Sequence, residues 1–162
     1  MADVPNVSLA PVIVGGLIAL GGVILTGIIT FGAKIFENRA ANKKRLGEKF
    51  EELVAAVYQY DHWIDNLRRI KAYGEQGTME VSPMSKIEAI AAVYFPTFNK
   101  KIAQVSDAGR VYELWIAKAA LKRLEGKLSE VNEGFNEAYV PYGDRRKELL
   151  EDLRQFANKE FQ

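Results

Sequence analysis

The chain has 162 residues, no cysteine, one histidine and a formal net charge of +1. The lack of cysteine excludes disulfides, thiol nucleophiles and cysteine-ligated metals. The charge is unevenly spread: residues 1–33 carry only Asp3, residues 34–49 carry six basic residues against Glu37 and Glu48, and the remaining 113 residues hold 16 basic and 18 acidic ones. That long, nearly neutral region has no broad basic field, so nucleic acid is not an expected partner.

The mean hydropathy of −0.12 averages an apolar third with a charged two-thirds. From Val4 to Ala33 no residue is charged, and within that run Val12–Phe31 reads VIVGGLIALGGVILTGIITF. Twenty helical residues at about 1.5 Å each give roughly 30 Å, the thickness of a bilayer's hydrocarbon core. The sequence therefore predicts a transmembrane helix over residues 12–33, preceded by a short tail, residues 1–11. Acidic Asp3 and the length of the apolar core do not fit a cleavable signal peptide. Lys34, Arg39, Lys43, Lys44, Arg45 and Lys49 follow the span, in a basic juxtamembrane segment, residues 34–49. By the positive-inside rule they put the C-terminal region in the cytoplasm and the tail outside, as in a single-pass protein of the cell inner membrane, and they could also meet lipid headgroups.

Within the span, Gly15, Ala19, Gly22, Thr26, Thr30 and Ala33 recur at steps of three and four, which aligns small residues along one face. Such a face lets helix backbones approach in lipid, so it is a candidate packing surface for a second copy or another membrane protein.

Residues 50–162 are expected to form an all-α, antiparallel bundle of about four helices, into which the spanning helix continues. Leu46, Phe50, Leu53, Val57, Tyr60, Ile64 and Leu67 alternate steps of four and three, giving the first helix a coiled-coil-like seam. Val54 and Trp63 widen it towards a bundle-facing stripe. Gly74, Gly77 and Pro83 then turn the chain. Ser82 with Pro83 suits the start of a second helix, Ser85 with Glu88 offers a competing capping box, and Ile87, Ile90, Ala91 and Tyr94 supply the helix's apolar face.

Pro96 cannot donate to the carbonyl of Ala92 and pushes Phe95 out of helical geometry, so the helix is expected to kink or restart there. Tyr94, Phe95, Pro96 and Phe98 could wedge into the core or form a ligand or partner site. A stop is expected at Ser106–Arg110, with Asp107 capping a long third helix. That helix would bury Val111, Leu114, Trp115, Leu121, Leu124, Leu128, Val131, Phe135 and Tyr139, with Gly126 and Gly134 as tolerated defects. Pro141 and Gly143 would end it, and Asp144 would cap a last helix carrying Leu149, Leu150, Leu153, Phe156 and Phe161.

Chemistry is sparse. Asp61 and Asp65 lie at i, i+4 beside His62, a thin basis for a metal site, and solvated roles are the expected ones. There is no phosphate loop, nucleophile elbow or metalloprotease motif. No cofactor or enzymatic activity is expected. The expected function is binding or scaffolding at the cytoplasmic face of the membrane, with the lipid bilayer and a second copy or another membrane protein as partners; the alternative is a ligand-sensing or signalling module with its site near Pro96.

Overall fold

The computed structural model describes the backbone of residues 10–161 and the side chains of residues 41–161. Contacts divide the chain into two units, Met1–Arg45 and Leu46–Gln162. The described elements are helices and turns without a strand: α1 (Ala10–Lys71), α2 (Met84–Tyr94), a short 3-10 turn at Pro96–Phe98, α3 (Asn99–Leu124), a second 3-10 turn at Leu128–Glu130, and α4 (Phe135–Phe161). Among the described residues no helix is long and apolar enough to cross a membrane. The expected span, Val12–Phe31, and its small-residue face lie outside the residues whose side chains are described.

Within the 46–162 unit, the alternating seam of α1 is the inner wall of the core. Phe50, Leu53, Val57, Tyr60 and Ile64 are buried, while Leu46, Val54, Trp63 and Leu67 pack at its margins. Cross-helix pairs give the direction of each helix. Phe50 meets Phe156 and Phe161, and Tyr60, further along α1, meets Tyr142, so α4 runs antiparallel to α1. Tyr60 also meets Gly109, and Arg123 donates to the carbonyl of Lys71, so α3 runs with α1. Near the start of α2, Lys86 pairs with Glu52, while the preceding loop lies beside Trp63 and Asn66, so α2 runs back down. The result is an up-down-up-down bundle.

Two indole donors hold the longer connections. Trp63 Nε1 donates to the carbonyl of Glu80 at 2.8 Å, and Trp115 Nε1 donates to that of Glu133 at 2.8 Å.

The helix boundaries differ from the sequence reading in four places. The stop expected at Ser106–Arg110 does not occur, and α3 passes through it unbroken. Gly109 is there because the α1 ring of Tyr60 crosses the helix at that point, leaving no room for a Cβ; the glycine serves a helix contact, and Asp107 caps nothing. The third helix ends instead at Leu124. Gly126 takes φ +78°, the Lys127 N–H donates to the Lys122 carbonyl at 2.9 Å and the Gly126 N–H to that of Arg123 at 3.1 Å. This is a Schellman ending built on a left-handed glycine, so Gly126 and Gly134, whose φ is +72°, delimit a turn and are not defects inside a helix.

Pro141 and Gly143 do not break the chain either. Pro141 lies one and a half turns inside α4 and is exposed, so the Glu137 carbonyl that loses its donor faces water. Asp144 is therefore an interior helical residue, not a cap. The fourth difference is small: α2 starts at Met84, with Pro83 in the capping position and the Ser82 Oγ accepting a long 3.4 Å bond from the Met84 N–H. At Pro96 the expected restart is present, and Phe95 (φ −137°, ψ 57°) separates α2 from the turn leading into α3.

Candidate interaction surface

Helix α3 is apolar on two sides. Its inner side buries Ile102, Val105, Tyr112, Trp115, Ile116 and Ala119. Its outer side presents Val111, Leu114, Leu121 and Leu124, which remain 53, 63, 60 and 73% exposed. The sequence reading put these four residues in the core, together with Leu128 and Tyr139, which are also exposed. Of that predicted face only Trp115, Val131 and, partly, Phe135 turn inward. The reason is geometric. Tyr60 crosses α3 at Gly109 and fixes the helix's rotation, so residues one helical step from Tyr112 and Ile116 face α1 and α4 while Leu114 and Leu121 point away.

Two open grooves flank this ridge. One, about 470 Å³, lies between α1 and α3 and is lined by Leu67, Lys71, Glu113, Ala117 and Leu121, among others. The other, about 320 Å³, lies between α3 and α4 and includes Lys118, Glu133 and Glu137 beside Val111 and Leu114. A third, about 450 Å³, runs between α1 and α4, where Val54, Leu150 and Ala157 form an apolar floor edged by Tyr58, Lys147 and Arg154.

Beneath the ridge the core carries a polar layer. The Tyr60 hydroxyl donates to Glu113 Oε1 at 3.2 Å, and the Tyr142 hydroxyl donates to Asp61 Oδ1 at 3.3 Å. Asp61 also pairs with Arg146, and Asp65 with Arg68. Arg68 in turn reaches the Tyr112 hydroxyl at 3.5 Å. Burial pushes the Tyr112 phenol up to about 12. It also raises Tyr60 and Tyr142, with the Glu113 and Asp61 carboxylates adding to the effect, so all three hydroxyls stay protonated, Tyr60 and Tyr142 as donors and Tyr112 as the acceptor from Arg68. Burial likewise raises the Glu113 carboxyl, against the lowering effect of the Tyr60 bond.

Asp61 and Asp65 are thus engaged by cations of the bundle, and His62 between them is exposed. Among the described residues, no cluster of three or more His, Cys, Asp or Glu side chains is placed to hold a metal.

Phe95 is only 2% exposed and Phe98 is buried. Phe95 packs edge-on against Phe50 and Phe156, and Phe98 packs against Phe156. Tyr94 is half-buried under the Lys49 ammonium, 5.9 Å from its ring centre, and Pro96 is exposed. The space at the restart is filled by the chain's own rings. Of the basic residues after the apolar run, Lys43, Lys44 and Arg45 are exposed and Lys49 pairs with Glu52 at 2.6 Å, while the side chains of Lys34 and Arg39 lie outside the described residues.

No family model, curated protein or solved structure matches the chain.

The outer α3 ridge is the feature that the sequence reading missed. A signal for it was present: from Val111 to Leu124 apolar residues occur on more of the helix circumference than one stripe can use, and Gly109 marks the side that approaches a neighbour.

Proposed function

We propose that this chain is a single-pass protein of the cell inner membrane, N-terminus outside, whose helical unit acts in the cytoplasm by binding another protein. The observation that carries the binding reading is the α3 ridge, where Leu114 and Leu121 share the outward face and Val111 and Leu124 flank it, each more than half exposed. Contiguous exposed apolar surface of this kind marks interaction sites. The membrane reading rests on the uncharged run from Val4 to Ala33 and on the six basic residues that follow it. The small residues Gly15 to Ala33 are the candidate packing face within the span.

The full-length chain tests both parts. It is expected to stay in the membrane fraction through an alkaline wash, with its C-terminus reached by protease only from the cytoplasmic side. Solubilised in mild detergent, it is expected to migrate above the monomer size or with a co-purifying protein. Release by the alkaline wash would refute the anchor. A strict monomer without a companion would refute the binding role.

A further inference from the structure

We propose that the outer side of α3 is covered by a second copy of this chain, docked parallel about a two-fold axis that runs along the helix. This inference rests on the binding reading and names its partner. Asp107, Arg110, Leu114, Ala117, Leu121 and Leu124 follow one another at steps of three and four, the spacing of a coiled-coil seam, and all six are exposed. Between them, Tyr112, Trp115, Ile116 and Ala119 are buried in the chain's own core. Helix α3 thus packs into its bundle on one side and carries a second, unused seam on the other. Ala117 and Leu121 also line the groove between α1 and α3, which gives a partner helix a hollow to lie against.

Helix α3 runs with α1, which carries the N-terminal apolar run, so copies anchored in one bilayer present α3 in the same direction. A two-fold axis along parallel helices sets each seam residue against its own counterpart. Like on like is favourable only where the residues are uncharged, and Leu114, Ala117, Leu121 and Leu124 are. The charges at the other positions complement themselves. At the start of the seam the Asp107 layer adjoins the Arg110 layer, so each guanidinium has a carboxylate of the second copy beside it. On the flanks, Glu113 and Lys118 are five residues apart, the separation at which flanking residues of parallel helices meet across a seam, and the axis makes that contact twice. Tyr60 holds Glu113 Oε1, which leaves the other oxygen for Lys118 of the second copy. Lys118 is exposed, so this pair sets register and adds little strength. One helix face is at the low end of interface sizes, which suits copies that a shared bilayer holds at high local concentration.

The absence of native cysteine makes disulfide trapping clean. Full-length Leu114→Cys and Leu121→Cys, with different tags, are co-expressed and oxidised in membranes. Each is expected to trap mainly its own homodimer, because counterparts face each other within disulfide reach, whereas the mixed pair sets its thiols about 10 Å apart along the axes. Val93→Cys, on α2 and 71% exposed, reports chance collision and should trap far less. Arg110→Asp on every copy gathers four carboxylates at the start of the seam and is expected to cut both homodimers about fivefold or more. Adding Asp107→Arg on every copy is expected to restore them. This rescue separates the interface from any folding defect, which circular dichroism also reads.

A mixed product equal to the homodimers, Val93→Cys trapping as much as Leu114→Cys, or failure of the charge swap to restore the homodimers would overturn the proposal. So would no disulfide at all. If a different protein still co-purifies in that last case, the binding reading stands and only the second copy falls; if none does, both fall.

Discussion

The hydroxyl of Tyr60, on α1, occupies the space where a Cβ on Gly109, in α3, would be. This contact sets how α3 is rotated and therefore which of its two apolar sides faces out. Gly109→Ala gains about 1 kcal/mol of helix propensity but forces a collision in a packed core, which costs about 1–3 kcal/mol and more where backbone must shift. We expect a net loss of up to about 2 kcal/mol, read as a fall of several degrees in the thermal melt. Tyr60→Phe, made in the same chain, removes the colliding oxygen and should recover most of that loss; additive losses in the double variant would refute the contact.

Gly126 is the opposite case. Nothing lies within 4 Å of the position its Cβ would take, yet its φ is +78°. Gly126→Ala should therefore cost only the left-handed backbone penalty, about 1 kcal/mol, and Gly126→Asn less, by denaturant titration. A loss as large as that of a core substitution would mean that the Schellman ending is not what closes α3.

At the α2–α3 junction, stability should reside in the ring and not in the proline. Phe95→Ala removes a buried aromatic that touches Phe50 and Phe156 and is expected to cost about 3–5 kcal/mol. Pro96→Ala, at an exposed position, should change stability by under about 1 kcal/mol. Urea titration of the two variants checks the order, and the reverse order would move the emphasis back to the backbone restart.

Glu113 gives a pH dependence of known sign. Burial raises its carboxyl pKa in the folded state, so the folded protein holds that proton more tightly than the unfolded chain. Its contribution to stability is fully present below the ordinary carboxylate value, about pH 4, and is lost as pH rises through the raised folded value. Glu113→Gln keeps an oxygen for the Tyr60 hydroxyl and cannot ionise. The variant should be more stable than the parent at pH 7, with the difference shrinking as pH falls to the bottom of that range. Thermal melts from pH 3 to pH 7 measure it, and a difference that grows towards acid would reverse the assignment.

The part of the fold legible in the sequence was the part with one apolar side. In α1 the residues from Leu46 to Leu67 repeat without a competing stripe, and the seam read from their spacing is the one that lines the core. Pro96 was legible for a related reason, since the missing donor and the restriction on Phe95 are local effects that no distant contact reverses. Helix α3 was not legible. Its two apolar sides fit different rotations, and the choice is made by Tyr60, 49 residues away in the chain. Gly109, Gly126 and Pro141 show the same limit. Glycine ends a helix when the chain needs positive φ and stays inside one when a neighbour needs the space, while an exposed proline in the second turn of α4 costs only a carbonyl bond that water replaces. The polar layer of Tyr60, Glu113, Asp61, Tyr142 and Arg146 was hidden because its members come from three helices.

The two indole clips bear on the order of assembly. Trp63 reaches a carbonyl 17 residues downstream and Trp115 one 18 residues downstream, so each closes a helical hairpin out of neighbouring chain. The bond from Tyr142 to Asp61 joins residues 81 apart. Loop-closure entropy grows with separation, and local contacts form first. The α1–α2 and α3–α4 hairpins should therefore appear early, each carrying its own tryptophan, and their joining should be the slow step. Indole emission would then follow the making of the halves, and the burial of Tyr60 against Gly109 their union.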